Sequence, residues 1–185
     1  GARATAVINE DKVYTFGRGG DVACWQLLNG KLLWKKSVMD EGGSEPQWGH
    51  SATPFVFENK LIVQGGGKAT VIAYDKNTGK LLWKSLEGEA GYSAAVTINF
   101  DSVPKLLIYH GTGLSCINPD DGKELWKIEC TSGEVGPSVA YANGIVFALN
   151  EYAKLAAIQI GDQPKILWEN NDYLSDVPSP VATDK

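Results

Sequence analysis

Four tryptophans recur along the chain in the same local setting, and this repeat limits the fold more than any other feature. The segments are Cys24-Trp-Gln-Leu-Leu-Asn-Gly30-Lys-Leu-Leu-Trp34, Ala73-Tyr-Asp-Lys-Asn-Thr-Gly79-Lys-Leu-Leu-Trp83 and Cys116-Ile-Asn-Pro-Asp-Asp-Gly122-Lys-Glu-Leu-Trp126. A weaker copy runs Ile158-Gln-Ile-Gly-Asp-Gln-Pro164-Lys-Ile-Leu-Trp168. The tryptophans stand 49, 43 and 42 residues apart. A period of roughly 40–50 residues belongs to propeller blades or to arrays of helical pairs. Local chemistry separates the two. In the second unit, Thr53–Phe57, Lys60–Val63, Thr70–Tyr74 and Lys80–Lys84 are short and rich in β-branched and aromatic residues. Turn signals divide them at Glu58-Asn59, Gly65-Gly66-Gly67 and Asp75 to Gly79. Four such strands make one blade, and no stretch carries helical periodicity.

The reading is therefore all-β: a propeller of four-stranded antiparallel blades. Blades are expected at about 3–38, 50–87, 92–130 and 136–170. Residues 177–185, with Pro178-Ser-Pro-Val-Ala, resemble the opening strand of a further blade. About four blades are thus expected, as part of a larger ring of seven or eight.

The motif has a structural account. Gly30, Gly79 and Gly122 stand where a tight turn needs a positive φ. Asp75, Asn118, Thr78 and Asp121 can hydrogen-bond the turn's own backbone. Trp34, Trp83, Trp126 and Trp168 are expected to wedge between neighbouring blades, each burying roughly 150–250 Å².

The pattern Ala-x-Asp-x-x-Thr-Gly-Lys-x-x-Trp resembles the tryptophan-docking motif of the PQQ-like, or quinoprotein alcohol dehydrogenase-like, propellers. Ala73 to Trp83 matches it at every defined position; Cys24 and Cys116 replace the alanine in two other copies. In the fourth, Pro164 stands where glycine belongs. The same repeats occur in BamB-type outer-membrane assembly proteins. The resemblance implies a periplasmic or extracellular setting. The motif holds blades together, so it speaks to fold rather than to chemistry.

The net charge of −5 and the lack of a basic stripe argue against a nucleic-acid partner. No apolar run reaches the roughly 20 residues of a membrane helix. Cys24, Cys116 and Cys130 are too scattered for a disulfide framework or a zinc site. The first two take a small packed repeat position; Cys130, after a last strand, is expected to be exposed.

Strand alternation puts the loops between blades and the loops between second and third strands on one face, where propellers usually bind. There lie Trp48-Gly-His50-Ser51, Gly91-Tyr92-Ser93, Arg18-Gly-Gly-Asp21, Gly65-Gly-Gly-Lys68, His110-Gly-Thr112 and Asn150-Glu-Tyr152. The irregular loop from Met39 to Gly49 is the longest departure from the blade plan. Trp48, His50, His110, Arg18 and Tyr92 are the candidates to line a ligand site.

No catalytic constellation is evident. With only His50 and His110, a multi-histidine metal site is ruled out. Gly65 to Gly67 precede no helix and so form no phosphate loop. Asp172 to Asp176 is a lone acidic stretch with the donors for calcium and little specificity.

Two functions remain. One is a non-catalytic scaffold for a protein partner or ligand, without a tight cofactor, able to self-associate through open sheet edges. The other is a PQQ- and calcium-dependent dehydrogenase of alcohols or sugars. The resemblance then implies a cofactor stacked on tryptophan beneath a disulfide of adjacent cysteines, with calcium held by Glu, Asn and Asp. The chain has no adjacent cysteines.

Overall fold

A computed structural model of the chain describes residues 3–100, 102–130, 133–150, 154–172 and 178–183. Among them, sixteen strands form four antiparallel sheets, each of four strands in sequence order, with no α-helix. This is the blade construction of a β-propeller. The first sheet holds β1 (Val7–Asn9), β2 (Lys12–Phe16), β3 (Asp21–Gln26) and β4 (Leu32–Ser37). The second holds β5 (Phe55–Phe57), β6 (Lys60–Gln64), β7 (Val71–Asp75) and β8 (Leu81–Ser85). The third holds β9 (Val96–Phe100), β10 (Val103–His110), β11 (Gly113–Ile117) and β12 (Glu124–Ile128). The fourth holds β13 (Ala140–Ala142), β14 (Ile145–Ala148), β15 (Leu155–Gln159) and β16 (Lys165–Asn170). Residues 1–94 and 95–185 make two compact units.

Burial follows strand position. The inner strands β6 and β11 are buried along their whole length, apolar apart from Lys60, Gln64 and Ser115. The last strands β4 and β8 bury their tryptophan and leave the residues on either side exposed, giving the period of two expected of a strand with one covered face.

Trp34 shows what the repeat is for. Its ring packs between Tyr14 and Tyr74, with centroids 6.3 and 6.4 Å away. Its Nε1 donates to the Lys76 carbonyl at 3.1 Å. It closes on the turn of the second sheet at Gly79, where an added Cβ would stand 2.8 Å from Cδ2 and Cε3 of the indole. Around it lie Phe16, Val22, Leu61, Val63 and Ile72, the core of the first unit.

The turn carrying the glycine is the same object three times. Gly30, Gly79 and Gly122 donate to the carbonyls of Gln26, Asp75 and Asn118, at 2.9 Å each. Their φ values are 67°, 69° and 74°. Asp75 Oδ1 accepts from the backbone of Asn77 and Thr78 and from the Thr78 hydroxyl. Burial opposes ionisation of that carboxyl, but these hydrogen bonds outweigh it and hold its pKa below the usual range.

The fourth copy differs in length. Cys24, Ala73 and Cys116 pair with Trp34, Trp83 and Trp126, whereas Ala157, not Ile158, pairs with Trp168. Its hairpin is one residue longer, so Ala157 rather than Ile158 takes the alanine position, while Pro164 keeps the glycine's place two residues before the paired Ile166. The reason is steric: the site opposite the tryptophan takes a small side chain, and the loop absorbs the extra residue.

Trp34 and Trp83 are buried and Trp126 is half-buried, but Trp168 is 47% exposed, with Phe147 at 6.1 Å. Residues 178–183 form no strand. Pro178 and Pro180 lack the N–H groups a ladder needs, and the segment is tied instead by Ser138 N donating to Ser179 Oγ at 2.9 Å. The rest of the expected opening strand (177, 184 and 185) lies outside the described residues. Cys130 is buried, not exposed, because the chain turns inward after β12 into the core of the second unit with Leu114, Val135 and Val146. All three cysteines are free thiols.

Candidate functional site

The long loop of the first unit begins at Ser37, whose Oγ accepts from Met39 N and starts a 3-10 turn over Val38–Glu41. Gly42 and Gly43 then run against Gly65 to Gly67. Ser44 N donates to Gly65 O at 3.0 Å, and Lys68 N to Gly42 O at 2.9 Å. A Cβ on Gly43 would meet the Gly65 carbonyl at 2.8 Å, and one on Gly67 the Gly42 carbonyl at 2.7 Å. These glycines let two loops lie backbone to backbone. That close approach, not a phosphate, accounts for the triple glycine.

His50 fixes the same region from below. It is 2% exposed, packs on Phe16 with centroids 5.0 Å apart, and sets Nδ1 3.1 Å from Arg18 O and Nε2 3.2 Å from Gly65 O. Its backbone N also donates to Arg18 O at 2.9 Å. Each ring nitrogen faces a carbonyl of one of the loops the ring joins, and either tautomer donates to one of the two. Gln64 does similar work nearby: Nε2 donates to Ser93 O at 2.9 Å and Oε1 accepts from Gly91 N at 2.8 Å. Sequence reasoning missed Gln64, although a lone amide closing the apolar run Leu61-Ile62-Val63 is a signal for such a role.

Above these braces lies Trp48. Its N donates to the Tyr92 hydroxyl at 3.2 Å and its carbonyl accepts from Arg3 at 2.6 Å, while the side chain stays 51% exposed. Arg18 lies over Gly49, which has no side chain to obstruct it, and reaches Glu45 at 3.5 Å. Four of the five candidate residues, Arg18, Trp48, His50 and Tyr92, are therefore joined in one network. Trp48 and Arg18 are its exposed members.

His110 sits in the second unit, at the end of β10, and is 1% exposed. Ser115 Oγ lies 2.9 Å from its Nε2 and donates to Glu124 Oε1 at 2.8 Å. Thr112 Oγ1 lies 3.1 Å from Nδ1 and accepts from Lys127 Nζ at 3.0 Å. The ends assign the protons. The ammonium must donate to Thr112 and the carboxylate must accept from Ser115, so Thr112 donates to Nδ1 and the Nε2 proton goes to Ser115. Burial lowers the His110 pKa to about 4, with Lys127 adding to the shift. Ser115 is fully buried, and the histidine nitrogen facing it carries the proton, so the arrangement cannot activate the hydroxyl as a nucleophile. It braces one blade. The sequence signal was a serine within the apolar strand β11.

In the fourth sheet the buried Asn150 donates to the Glu134 carbonyl; Glu151 and Tyr152 lie outside the described residues. So do 173–176 of the acidic stretch, while Asp172 N donates to Asn170 Oδ1. Among the described residues no three His, Cys, Asp or Glu side chains converge to hold a metal ion, and no helix is long and apolar enough to cross a membrane.

The model of the PQQ_2 family, described as outer membrane protein assembly factor BamB, matches residues 1–185. The quinoprotein ethanol dehydrogenase of Pseudomonas putida is 26% identical over 150 residues, covering 74% of this chain and 24% of the relative. The tetrathionate hydrolase of Acidithiobacillus ferrooxidans is 29% identical over 147 residues, covering 75% and 28%. The chain thus spans about a quarter of the length of these curated relatives. Among solved structures, BamB from Moraxella catarrhalis superposes with a TM-score of 0.69 at 18% identity, over 92% of this chain and 52% of that one. The quinohemoprotein alcohol dehydrogenase of Comamonas testosteroni superposes with 0.67 at 14% identity, over 92% and 35%. Both likenesses concern the fold.

Proposed function

Because this chain belongs to the PQQ_2 family, the PQQ-like propellers described by outer membrane protein assembly factor BamB, we propose that it is a non-catalytic scaffold that binds a protein partner outside the cytoplasm. The observation that carries this reading is Trp48. Its backbone is held on both sides, by Tyr92 and Arg3, while half of its indole faces solvent beside the Arg18–Glu45 pair. With the main chain held, only the two torsions of the indole remain to be ordered on binding. Tryptophan and arginine are also the residue types that dominate protein interfaces. The loop that presents them is braced by His50, and the Tyr92 loop by Gln64, so the surface is preformed. Localisation in the periplasm or at the cell exterior belongs to the same proposal.

The family also contains quinoprotein dehydrogenases, which makes a PQQ- and calcium-dependent oxidation of alcohols or sugars the alternative. The described residues do not fit that cofactor. Cys24, Cys116 and Cys130 are separate buried thiols, and no acidic set converges near Trp48. Neither histidine is placed to take a substrate proton, since both are buried and their ring nitrogens engaged.

Two measurements test the reading. Calorimetric titration with PQQ and calcium is expected to give no heat on folded protein; calcium-dependent binding at micromolar concentration or tighter would overturn the scaffold. A photoreactive phenylalanine analogue at the exposed Gln47, next to Trp48, illuminated in producing cells, is expected to yield one discrete protein adduct. Absence of any adduct counts against a partner on this surface.

A further inference from the structure

The chain's sulfur atoms belong to three cysteines and one methionine. Cys24, Cys116 and Cys130 are buried free thiols. Burial also raises their pKa, which leaves little thiolate to compete for an oxidant. The remaining sulfur is that of Met39, which is 43% exposed. Methionine commonly fills irregular gaps in a core. Here other side chains close the cores of both units, and the thioether stands outside them.

The local chain explains the placement. In the 3-10 turn over Val38–Glu41, Val38 is fully buried and the next residue points outward. The Met39 main chain is fixed on both sides: its N donates to Ser37 Oγ at 3.3 Å, and its carbonyl accepts from Gly42 N at 3.2 Å. Its stem lies over Gly20. A Cβ there would stand 3.5 Å from Met39 Cγ and 3.3 Å from His50 Cε1. The thioether stem and the His50 ring therefore meet over one glycine. The loop joins β4 to β5, so the sheets on both sides of it belong to this chain.

One braced loop thus presents two exposed apolar side chains, Met39 near its start and Trp48 near its end. A soft, unbranched thioether adapts to the shape of what it meets, which suits it to a binding surface. The same sulfur is the one an oxidant in solution reaches without unfolding the chain.

We propose that Met39 is an oxidation site, and that its sulfoxide weakens the contact made at the Trp48 surface. The co-reactant is a peroxide. The sulfur lone pair attacks one peroxide oxygen, the S–O bond forms and the O–O bond breaks. Sulfur gives up an electron pair and is oxidised; the peroxide is reduced, and with hydrogen peroxide its second oxygen leaves as water. An apolar side chain becomes a polar one of the same length. Against a partner, the new oxygen must find a donor or lose its water without compensation. The effect on binding rests on the scaffold reading; the site of oxidation does not.

The test treats the folded 185-residue chain with hydrogen peroxide and reads it by peptide mass mapping, with circular dichroism in parallel. The expected product carries a single added oxygen, on Met39, with the thiols still titratable after unfolding and the spectrum unchanged. Met39→Leu is expected to take up none. Oxygen gained by a cysteine or by Trp48 in preference to Met39, or a Met39 that reacts only in the unfolded chain, would overturn the site. Binding is read with the photoreactive group at position 47 in producing cells. Met39→Gln puts a polar amide where the sulfoxide would be, and is expected to lower the adduct yield by ~10-fold, the loss for one uncompensated polar group. Met39→Leu should keep the yield. Equal yields from the two variants would overturn the effect on binding. An unsubstituted chain that forms no adduct would overturn the scaffold reading instead, and the mass map would still decide the oxidation site.

Discussion

Trp34 fills the space that a side chain at Gly79 would need, and its Nε1 bonds the carbonyl three residues before that glycine. The glycine therefore answers two demands, a left-handed turn and a surface flat enough for an indole. Gly30 meets only the first, since among the described residues no atom lies within 4 Å of where its Cβ would stand.

The two demands separate by mutation. Gly30→Ala is expected to cost about 1–2 kcal/mol, the penalty of a side chain in the left-handed region. Gly79→Ala should cost that and about 1–3 kcal/mol more for displacing the indole. Urea denaturation at concentrations where the chain is monomeric reads the difference. Equal losses would mean that the indole yields without resistance.

Removing the indole is the complementary experiment. Trp34→Ala is expected to destabilise the first unit by about 3–5 kcal/mol, as for a large buried aromatic. Trp34→Phe keeps most of the apolar surface but loses the donor to Lys76, with an expected cost of about 1–2 kcal/mol. Thermal melting of the two variants orders the effects.

His110 makes stability depend on pH in a defined window. Its folded pKa, about 4, lies below the ordinary histidine value of 6.5, so above pH 6.5 neither state binds the proton and the contribution is complete. As pH falls from 6.5 towards 4 the unfolded chain takes up a proton that the folded one refuses, and stability falls. The expected loss is on the order of 3 kcal/mol across the window. His110→Gln should flatten this part of the profile while keeping a polar group at the relay. An unchanged slope in the variant would assign it to another group.

The thiols should be silent in the folded protein. Burial raises the pKa of Cys24 and pushes those of Cys116 and Cys130 up to about 11, so little thiolate is present near neutral pH. A thiol reagent should react at the rate of unfolding rather than at its own chemical rate. Fast reaction of any one thiol in native buffer contradicts this.

At the surface, Trp48→Ala is expected to change stability by no more than about 0.5 kcal/mol, because the two hydrogen bonds at that residue use its main chain. It should still abolish the adduct formed by the photoreactive group at position 47. A large stability loss would identify Trp48 as a structural residue.

Much of the fold was legible because its determinants are local. The spacing of the tryptophans, the alternation along the last strands and the glycine turns at Gly30, Gly79 and Gly122 act within a few residues of one another, so one sequence suffices to read them. The fourth hairpin was misread by one residue because pairing across it, Ala157 with Trp168, is decided by the fit of a small side chain opposite the indole. Motif matching carries no information on that fit.

The site was legible only as an address. Loop positions followed from strand alternation, which drew attention to Arg18, Trp48, His50 and Tyr92. Only the tertiary structure decided which of them face solvent. His50 is turned inward towards carbonyls of the distant Arg18 and Gly65, and His110 towards the hydroxyls of Thr112 and Ser115 in its own hairpin, since a buried polar group goes where its partners are. Cys130 is buried for a similar reason: the path of the chain after β12 is set by the core it joins. The sequence by itself determined that blades form and where three of them turn, at Gly30, Gly79 and Gly122. Whether a repeat tryptophan is covered, as Trp34 is, or half exposed, as Trp168 is, depends on surfaces distant in the chain, and that is a property of packing alone.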